Sequence, residues 1–389
     1  MPTTAEIFRV FLHLGVTAYG GLAMIEPIRQ RVVDHRRWLS QADFLDGVAF
    51  CQLLPGATVV QLATYVGYRL RGAAGALVAV AGFILPAFVL MVGLSELYLA
   101  YGPQLAWVKA VSRGLGAVVI ALLLQTLWNL GKEIRTSWFN LLIAVLVLIA
   151  IWAKFHYLVV FLGAGLLRVL LESLRGTRFA HDSEILAALD KPRDFLPVTL
   201  ISLAMFAIFV SLRFFDVLLG KLADIFLKIG AVSFGGGYVM IPILQWEVVD
   251  SLGWLSLSQF MDGLLLSYAT PGPLLILAAF VGYVIKGLSG AVVATGAVFL
   301  IPAVLVILLT PYFQKVKELE FMRPFIQGIL AALVGMLVLV TGEMGLATIT
   351  DITSFGLCVA AALALIGFGV NLLWVVAGAA VVSLAFFSW

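Results

Sequence analysis

Apolar residues in this chain come in long unbroken runs rather than in one-sided stripes. In the first half the runs cover about 74–98, 107–130, 138–153 and 156–173. In the second half they cover about 289–311, 325–342, 354–368 and 370–388. A helix that crosses a bilayer needs roughly 20 apolar residues, so these runs predict membrane-spanning helices. Four further apolar segments, 8–27, 44–68, 222–243 and 260–284, are interrupted by Gly or Pro. Between the halves lies 174–194, the longest polar stretch, followed by one more apolar run at 195–212.

The order of these segments repeats. LGVTAYGG at 14–21 answers IGAVSFGG at 229–236, and RWLSQADFLDG at 37–47 answers GWLSLSQFMDG at 253–263. LLPG at 53–56 answers ATPG at 269–272, ATYVGY at 63–68 answers AAFVGY at 278–283, and GFILPA at 82–87 answers VFLIPA at 298–303. The offset stays at 215 or 216 throughout. A single register held over some 75 residues is not what chance likeness of apolar segments gives. The expected division is a first repeat at 1–173, a linker with a connecting helix at 174–216, and a second repeat at 217–389.

Loop charge orients the repeats, because cytoplasmic loops are enriched in Lys and Arg. The loop after the first Gly-Gly carries Arg29, Arg31, Arg36 and Arg37, whereas 244–259 has neither Lys nor Arg and holds Glu247 and Asp250. Loop 131–137 has Lys132 and Arg135, and its counterpart 343–353 has none. Loop 99–106 has none, and its counterpart 313–324 has Lys315, Lys317 and Arg323. Opposite bias in corresponding loops predicts antiparallel repeats, the inverted architecture of secondary transporters. If 44–68 turns back at Leu-Pro-Gly, then Arg29–Arg37, Arg69, Arg71, Lys132, Arg135 and the cluster at 175–193 share one side. If it crosses fully, they do not. The re-entrant reading is therefore preferred, and is extended to 260–284, 8–27 and 222–243. The fold class expected is all-α: a polytopic membrane protein with two antiparallel repeats containing re-entrant or broken helices.

Composition agrees and narrows the classes. Of 389 residues, 63% are hydrophobic and 12% charged, about half the charged share of ordinary soluble domains. Nine to thirteen segments of about 20 residues would fit. The net charge of +3 is weak and no basic stripe suggests nucleic acid. Cys51 and Cys358 both lie in apolar runs, which argues against a disulfide framework or a cysteine-rich metal site. His13, His35, His156 and His181 show no metal-ligand spacing. There is no phosphate-binding GxxxxGK[ST] and no GxSxG, so no cofactor and no enzymatic activity is expected. The N-terminal stretch lacks a basic n-region and a small-residue cleavage site, so it reads as part of the mature protein.

Candidate chemistry follows the interruptions. Gly20-Gly21 and Gly235-Gly236-Gly237 form one pair of elements; Pro55-Gly56 and Pro271-Gly272-Pro273 form the other. Pro stops a helix and Gly permits backbone that other residues avoid. Irregular backbone at membrane depth is tolerated only inside protein or along a wet cavity. Half-helix N-termini there offer free N–H groups and a positive dipole end to an anion. The alternative is that the Gly pairs only allow close packing. His13 and Lys228 hold equivalent positions, two residues before Gly15 and Gly230. A basic side chain in an apolar segment is a functional candidate, with snorkelling to the interface as the alternative. Asp46 and Asp262 are equivalent acids, each followed by Gly; they are proton-exchange candidates or helix-start carboxylates. Thr270, with Ser267, Gln52 and Thr58, could donate hydrogen bonds to oxygen atoms.

These motifs resemble the chromate transporter family in its long, two-domain form. The resemblance runs over nearly the whole chain. It is carried by FLHLGVTAYGG, RRWLSQADFLDG and LLPG, and again by FLKIGAVSFGGGYVMIP, GWLSLSQFMDG, ATPGP and FVGY. It implies a carrier in the inner membrane of a bacterium or archaeon that exports chromate, driven by membrane potential or proton exchange. Departures are Leu22 where Pro is common, Ala57 where Pro-Gly-Pro is common, and His13 where Arg or Lys is usual. The expected substrate is a small tetrahedral oxyanion, chromate or its rival sulfate. The bilayer is the expected surrounding and a homodimer a candidate assembly. A membrane-embedded enzyme or lipid scramblase is the reading from another class, but no catalytic cluster supports it.

Overall fold

The computed structural model describes residues 2–17, 24–101, 106–135, 137–175, 211–233, 240–312 and 319–387, with a few positions between 203 and 209. Most of the expected linker and connecting helix at 174–216 lies outside the described residues. Every regular element among those described is helical. In hydrocarbon an open strand would leave backbone groups unpaired, so a helix is the local solution for an apolar run.

The helices in chain order are α1 (Thr4–Thr17), α2 (Ile25–Arg29), α3 (Gln41–Leu53), α4 (Thr58–Tyr101), α5 (Ala106–Ile134), α6 (Trp138–Trp152) and α7 (Tyr157–Leu174). They continue as α8 (Val217–Val232), α9 (Met240–Gln245), α10 (Leu257–Ala269), α11 (Leu277–Leu309), α12 (Met322–Thr348), α13 (Ile352–Ala362) and α14 (Leu372–Phe387). Among the described residues, five spans are long and apolar enough to cross a membrane: Thr58–Tyr101, Arg113–Ile134, Tyr157–Leu174, Leu274–Tyr312 and Met322–Thr348. This is a multi-pass membrane protein.

The helices group into two compact units. The first comprises Met1–Ser95, Arg178–Ile241 and Thr270–Met322; the second comprises Glu96–Thr177, Pro242–Ala269 and Arg323–Trp389. Each unit therefore draws on both halves of the chain.

In the first unit, α3 and the start of α4 run back along each other. The Tyr65 hydroxyl donates to the Asp43 carbonyl at 3.3 Å and Arg69 pairs with the Asp43 carboxylate at 3.1 Å. Nearer the turn, Gly47 lies so close to the Tyr65 ring that a Cβ would sit 2.3 Å from it. Helical geometry then fails at Arg71 (φ −147°, ψ 30°) and Gly72 (φ 59°, ψ −151°). The chain folds back so tightly that a Cβ on Gly67 would be 2.3 Å from the Gly75 carbonyl oxygen. In α11 the break falls at Lys286 (φ −142°, ψ 25°) and Gly287 (φ 61°, ψ −150°), and Gly282 meets Gly290 at 2.2 Å on the same measure. The positive φ at Gly72 and Gly287 is what a side chain would resist.

Both breaks are tied to the start of a helix. Arg71 Nε donates to the Pro2 carbonyl at 2.7 Å, and Lys286 pairs with Asp216 at 3.0 Å. Asp216 also caps α8, accepting from the amides of Leu218 and Leu219. Gly15 lets α1 sit on α4 beside Phe83 and Pro86; Gly230 lets α8 sit on α11 beside Val298 and Pro302. Pro302 has no N–H for the Val298 carbonyl four residues back, and Gly230 covers that oxygen.

In the second unit, α5 packs against α10, α13 and α14, and α6 against α7. Small residues again set the approach: Gly328 of α12 faces the Ala164 carbonyl and Gly335 faces that of Ala144. Asp351 caps α13 through a reciprocal pair of bonds with Ser354.

Candidate functional site

The two Pro–Gly turns interrupt the helices of the first unit with irregular backbone. Leu54 is extended (ψ 148°), as the residue before Pro must be. Gly56 follows at φ 135°, and Gly272 has φ 121°, conformations that L side chains resist. Both turns are also sterically closed. A Cβ on Gly56 would meet Pro302 at 2.5 Å, and one on Gly272 would meet Ala87 at 2.7 Å. Each turn thus rests on the proline-bearing helix of the other half, beside Pro86 or at Pro302. The Gly56 amide donates to the Ser233 carbonyl at the end of α8.

These turns place helix beginnings in buried surroundings. Thr58 opens α4 at 2% exposure, and Thr270 at 3% precedes the buried stretch Pro271–Pro273. The turn Leu274–Ile276 then leads into α11. The first amides of a helix lack internal acceptors and carry the positive end of its dipole. Chemically, a buried pair of such ends can hold negative charge without buried cations.

Gln61 belongs to this region although sequence reasoning misses it. It is fully buried, its Nε2 donates to the Pro55 carbonyl at 2.7 Å, and its Oε1 has no partner among the described residues. The only sequence signal would have been its contrast with the apolar Ile276 and Leu277 at the matching offset.

Other expected residues are spread more widely. Gly20, Gly21, Gly235, Gly236 and Gly237 lie outside the described residues. His13 and Lys228 are on the exposed faces of α1 and α8, whereas Gly15 and Gly230 are buried against α4 and α11. Neither basic residue is among the nearest neighbours of Gly56 or Gly272. Gln52 is exposed and Ser267 buried. Asp46 is half-buried on α3 in the first unit. Asp262, in the second unit, is 9% exposed and accepts a hydrogen bond from the Tyr98 hydroxyl at 2.8 Å.

Two further buried ionisable groups of the second unit escape sequence reasoning. Glu247 accepts from the Tyr157 hydroxyl at 2.9 Å, and that ring stacks on His156. Arg168 donates to Asn140, Glu172 and Gln327. An ionisable residue inside an apolar run is the signal that could have flagged Arg168.

Outside the spans, local pairing governs the charges. Hydrogen bonds from Arg29 and Gln30 hold the Glu26 carboxyl down at about 2. Burial pushes the Asp250 carboxyl above its ordinary range, against the pull of Lys154.

The first unit also contains an apolar cavity of about 310 Å³ between α4 and α11, with Thr64, Phe88, Thr295 and Phe299 among its walls. A dianion there would exchange its hydration for little more than the Thr295 hydroxyl, since Thr64 already donates to the Val60 carbonyl.

The family model described as "Chromate transporter" matches residues 5–169 and again 220–384. A chromate transport protein of Cupriavidus metallidurans is 30% identical over 350 residues, covering 86% of this chain and 80% of the relative. Another from Pseudomonas aeruginosa is 30% identical over 361 residues, covering 90% and 83%. An uncharacterized transporter of Methanocaldococcus jannaschii is 33% identical over 348 residues, covering 87% and 84%. No solved structure matches the chain. With both halves matched and relatives aligned over most of their length, the chain belongs to the chromate transporter family.

Proposed function

We propose that this protein is a secondary transporter that exports chromate across the inner membrane of a bacterial or archaeal cell, coupled to proton exchange or to the membrane potential. The observation that carries the reading is the pair of buried Pro–Gly turns in one unit, each packed on the proline-bearing helix of the other half. Pro55, Gly56, Thr270, Pro271, Gly272 and Pro273 form the two re-entrant tips, and the first amides of the helices that follow them receive the oxyanion. Gly20, Gly21, Gly235, Gly236 and Gly237 shape the broken segments 8–27 and 222–243. Lys228 and His13 bias the approach toward anions. Asp262, held by Tyr98, and Asp46 carry the exchanged proton.

The inverted relation of 1–173 and 217–389 is supported by the opposite loop charges, and the repetition itself by the shared order of the helices. Alternating access then comes from rocking of packed bodies around a central site.

Chromate uptake into inverted vesicles, with and without a proton gradient, tests the reading. Saturable uptake above that of vesicles lacking the protein is expected; a linear, unsaturable signal in both conditions defeats it. Sulfate is the second reading, favoured by the apolar residues Leu274, Leu275 and Ile276 that follow the second turn. Backbone donors beside such residues read charge and shape, which the two dianions share. Unlabelled sulfate added to the same vesicles separates them, since equal competition at equal concentration assigns the site to tetrahedral dianions in general.

A further inference from the structure

The second unit holds a buried cation that the proposed transport mechanism does not use. Arg168 lies in a span long and apolar enough to cross the membrane, and is only 5% exposed. It stands six residues before Leu174, roughly 9 Å along the helix axis, on the end that leads into the polar stretch. A charge at that depth is costly and marks ion pathways unless the protein fully pairs it. Its Nε donates to Asn140 Oδ1 at 2.9 Å, one terminal nitrogen donates to Gln327 Oε1 at 3.2 Å, and the other pairs with Glu172.

Two details do not fit a purely structural clamp. Asn140 is 1% exposed, yet its Nδ2 has no acceptor among the described residues, a state that folded proteins seldom tolerate. The carboxylate balancing Arg168 belongs to Glu172, whose side chain is 28% exposed. It is therefore the partner free to swing toward water. A guanidinium fork beside an orphaned amide donor is a donor set for an oxyanion.

We infer that Arg168 and Asn140 form a second oxyanion station, with Glu172 as a built-in placeholder that an arriving tetrahedral dianion displaces. On arrival the anion takes the guanidinium from Glu172 and gives Asn140 Nδ2 its missing acceptor. This rests on the transport reading for its ligand class, but its residues and its test are separate.

Two substitutions push the station in opposite directions. Asn140→Asp keeps the oxygen that accepts from Arg168 and replaces the amide donor with a second anionic oxygen. Glu172→Gln keeps an acceptor for Arg168 and removes the competing charge. The full-length protein, wild type and each variant, is purified and its binding of radiolabelled chromate and sulfate measured by equilibrium dialysis. Uptake by vesicles containing the same proteins is measured in parallel. Asn140→Asp is expected to weaken binding at least tenfold at an unchanged or raised melting temperature, and Glu172→Gln to tighten it. Wild-type affinity in Asn140→Asp, or weaker binding in Glu172→Gln, overturns the station. If Asn140→Asp lowers the melting temperature, Glu172→Gln decides alone, with unchanged or weaker binding counting against the station. Wild-type vesicles that transport while both variants bind as wild type defeat the station and leave the transport reading intact. Vesicles that do not transport, with the opposed binding shifts present, defeat the transport reading and leave the station standing.

Discussion

Lys228 and Asp262 put the residue scale to the test from opposite sides. Lys228 is exposed on α8, so its charge acts at a distance and its loss should leave the fold unharmed. Lys228→Met is expected to reduce chromate uptake at least tenfold with normal protein in the membrane; full uptake removes Lys228 from the site. Asp262 is buried beside the Tyr98 hydroxyl, where a carboxylic acid can gain or lose a proton against a neutral partner. Asp262→Asn is expected to abolish the response of uptake to an imposed proton gradient while uptake driven by membrane potential persists. A gradient response equal to wild type clears Asp262 of that role. Both acidic and basic candidates are legible in the sequence because each occurs twice in one register. Their surroundings are not. Tyr98 is 164 residues from Asp262, and Gln327 is 159 residues from Arg168. Periodicity reports only neighbours within a turn or two, so contacts of that range leave no trace in it. Gln61 is silent for another reason: it occurs in one half only, so a search for doubled motifs passes over it.

At the scale of elements, the hairpins within α4 and α11 depend on backbone touching backbone. The turns at Pro55-Gly56 and Pro271-Gly272 are readable from Pro and Gly alone, because those residues forbid or permit backbone states locally. The close approach of Gly67 to Gly75 is not readable in that way, since a glycine in an apolar run is equally consistent with loose packing. A side chain at Gly75 would meet the Gly67 carbonyl oxygen at 2.2 Å, and a backbone atom cannot step aside as a flexible side chain can. Gly75→Leu is therefore expected to cost upward of about 1–3 kcal/mol and to lower the melting temperature of the purified protein. Gly93→Leu is the control, since nothing lies within 4 Å of its Cβ position. Equal melting temperatures for the two variants would show that the hairpin does not need the contact. The same logic explains why α13 can begin where it does. The Asp351–Ser354 capping pair fixes its start after a polar turn, and the local sequence alone suffices for that.

The whole molecule is not divided where the sequence halves meet. Each compact unit contains segments from before and after residue 200, and those segments pack through glycines against one another. Neither half buries its own apolar faces completely. Cutting the chain within 176–202, outside the described helices, is expected to leave both pieces unstable when expressed singly. Produced together they should accumulate, co-purify and restore chromate uptake. Stable accumulation of one half alone would show that the units form without exchange of segments. The sequence announces two repeats, and nothing in it announces that the physical units cut across them. That outcome depends on which faces find each other, a matter of long-range packing rather than of local pattern.

The reciprocal seating of the turns, Gly56 on Pro302 and Gly272 on Ala87, has a consequence for how such a chain can change over time. An altered residue in either turn is felt by a helix encoded more than 180 positions away. Substitutions that rescue a damaged turn should therefore arise in the opposite half. The two halves can drift apart in composition, yet the positions where turn meets helix must be inherited as matched pairs.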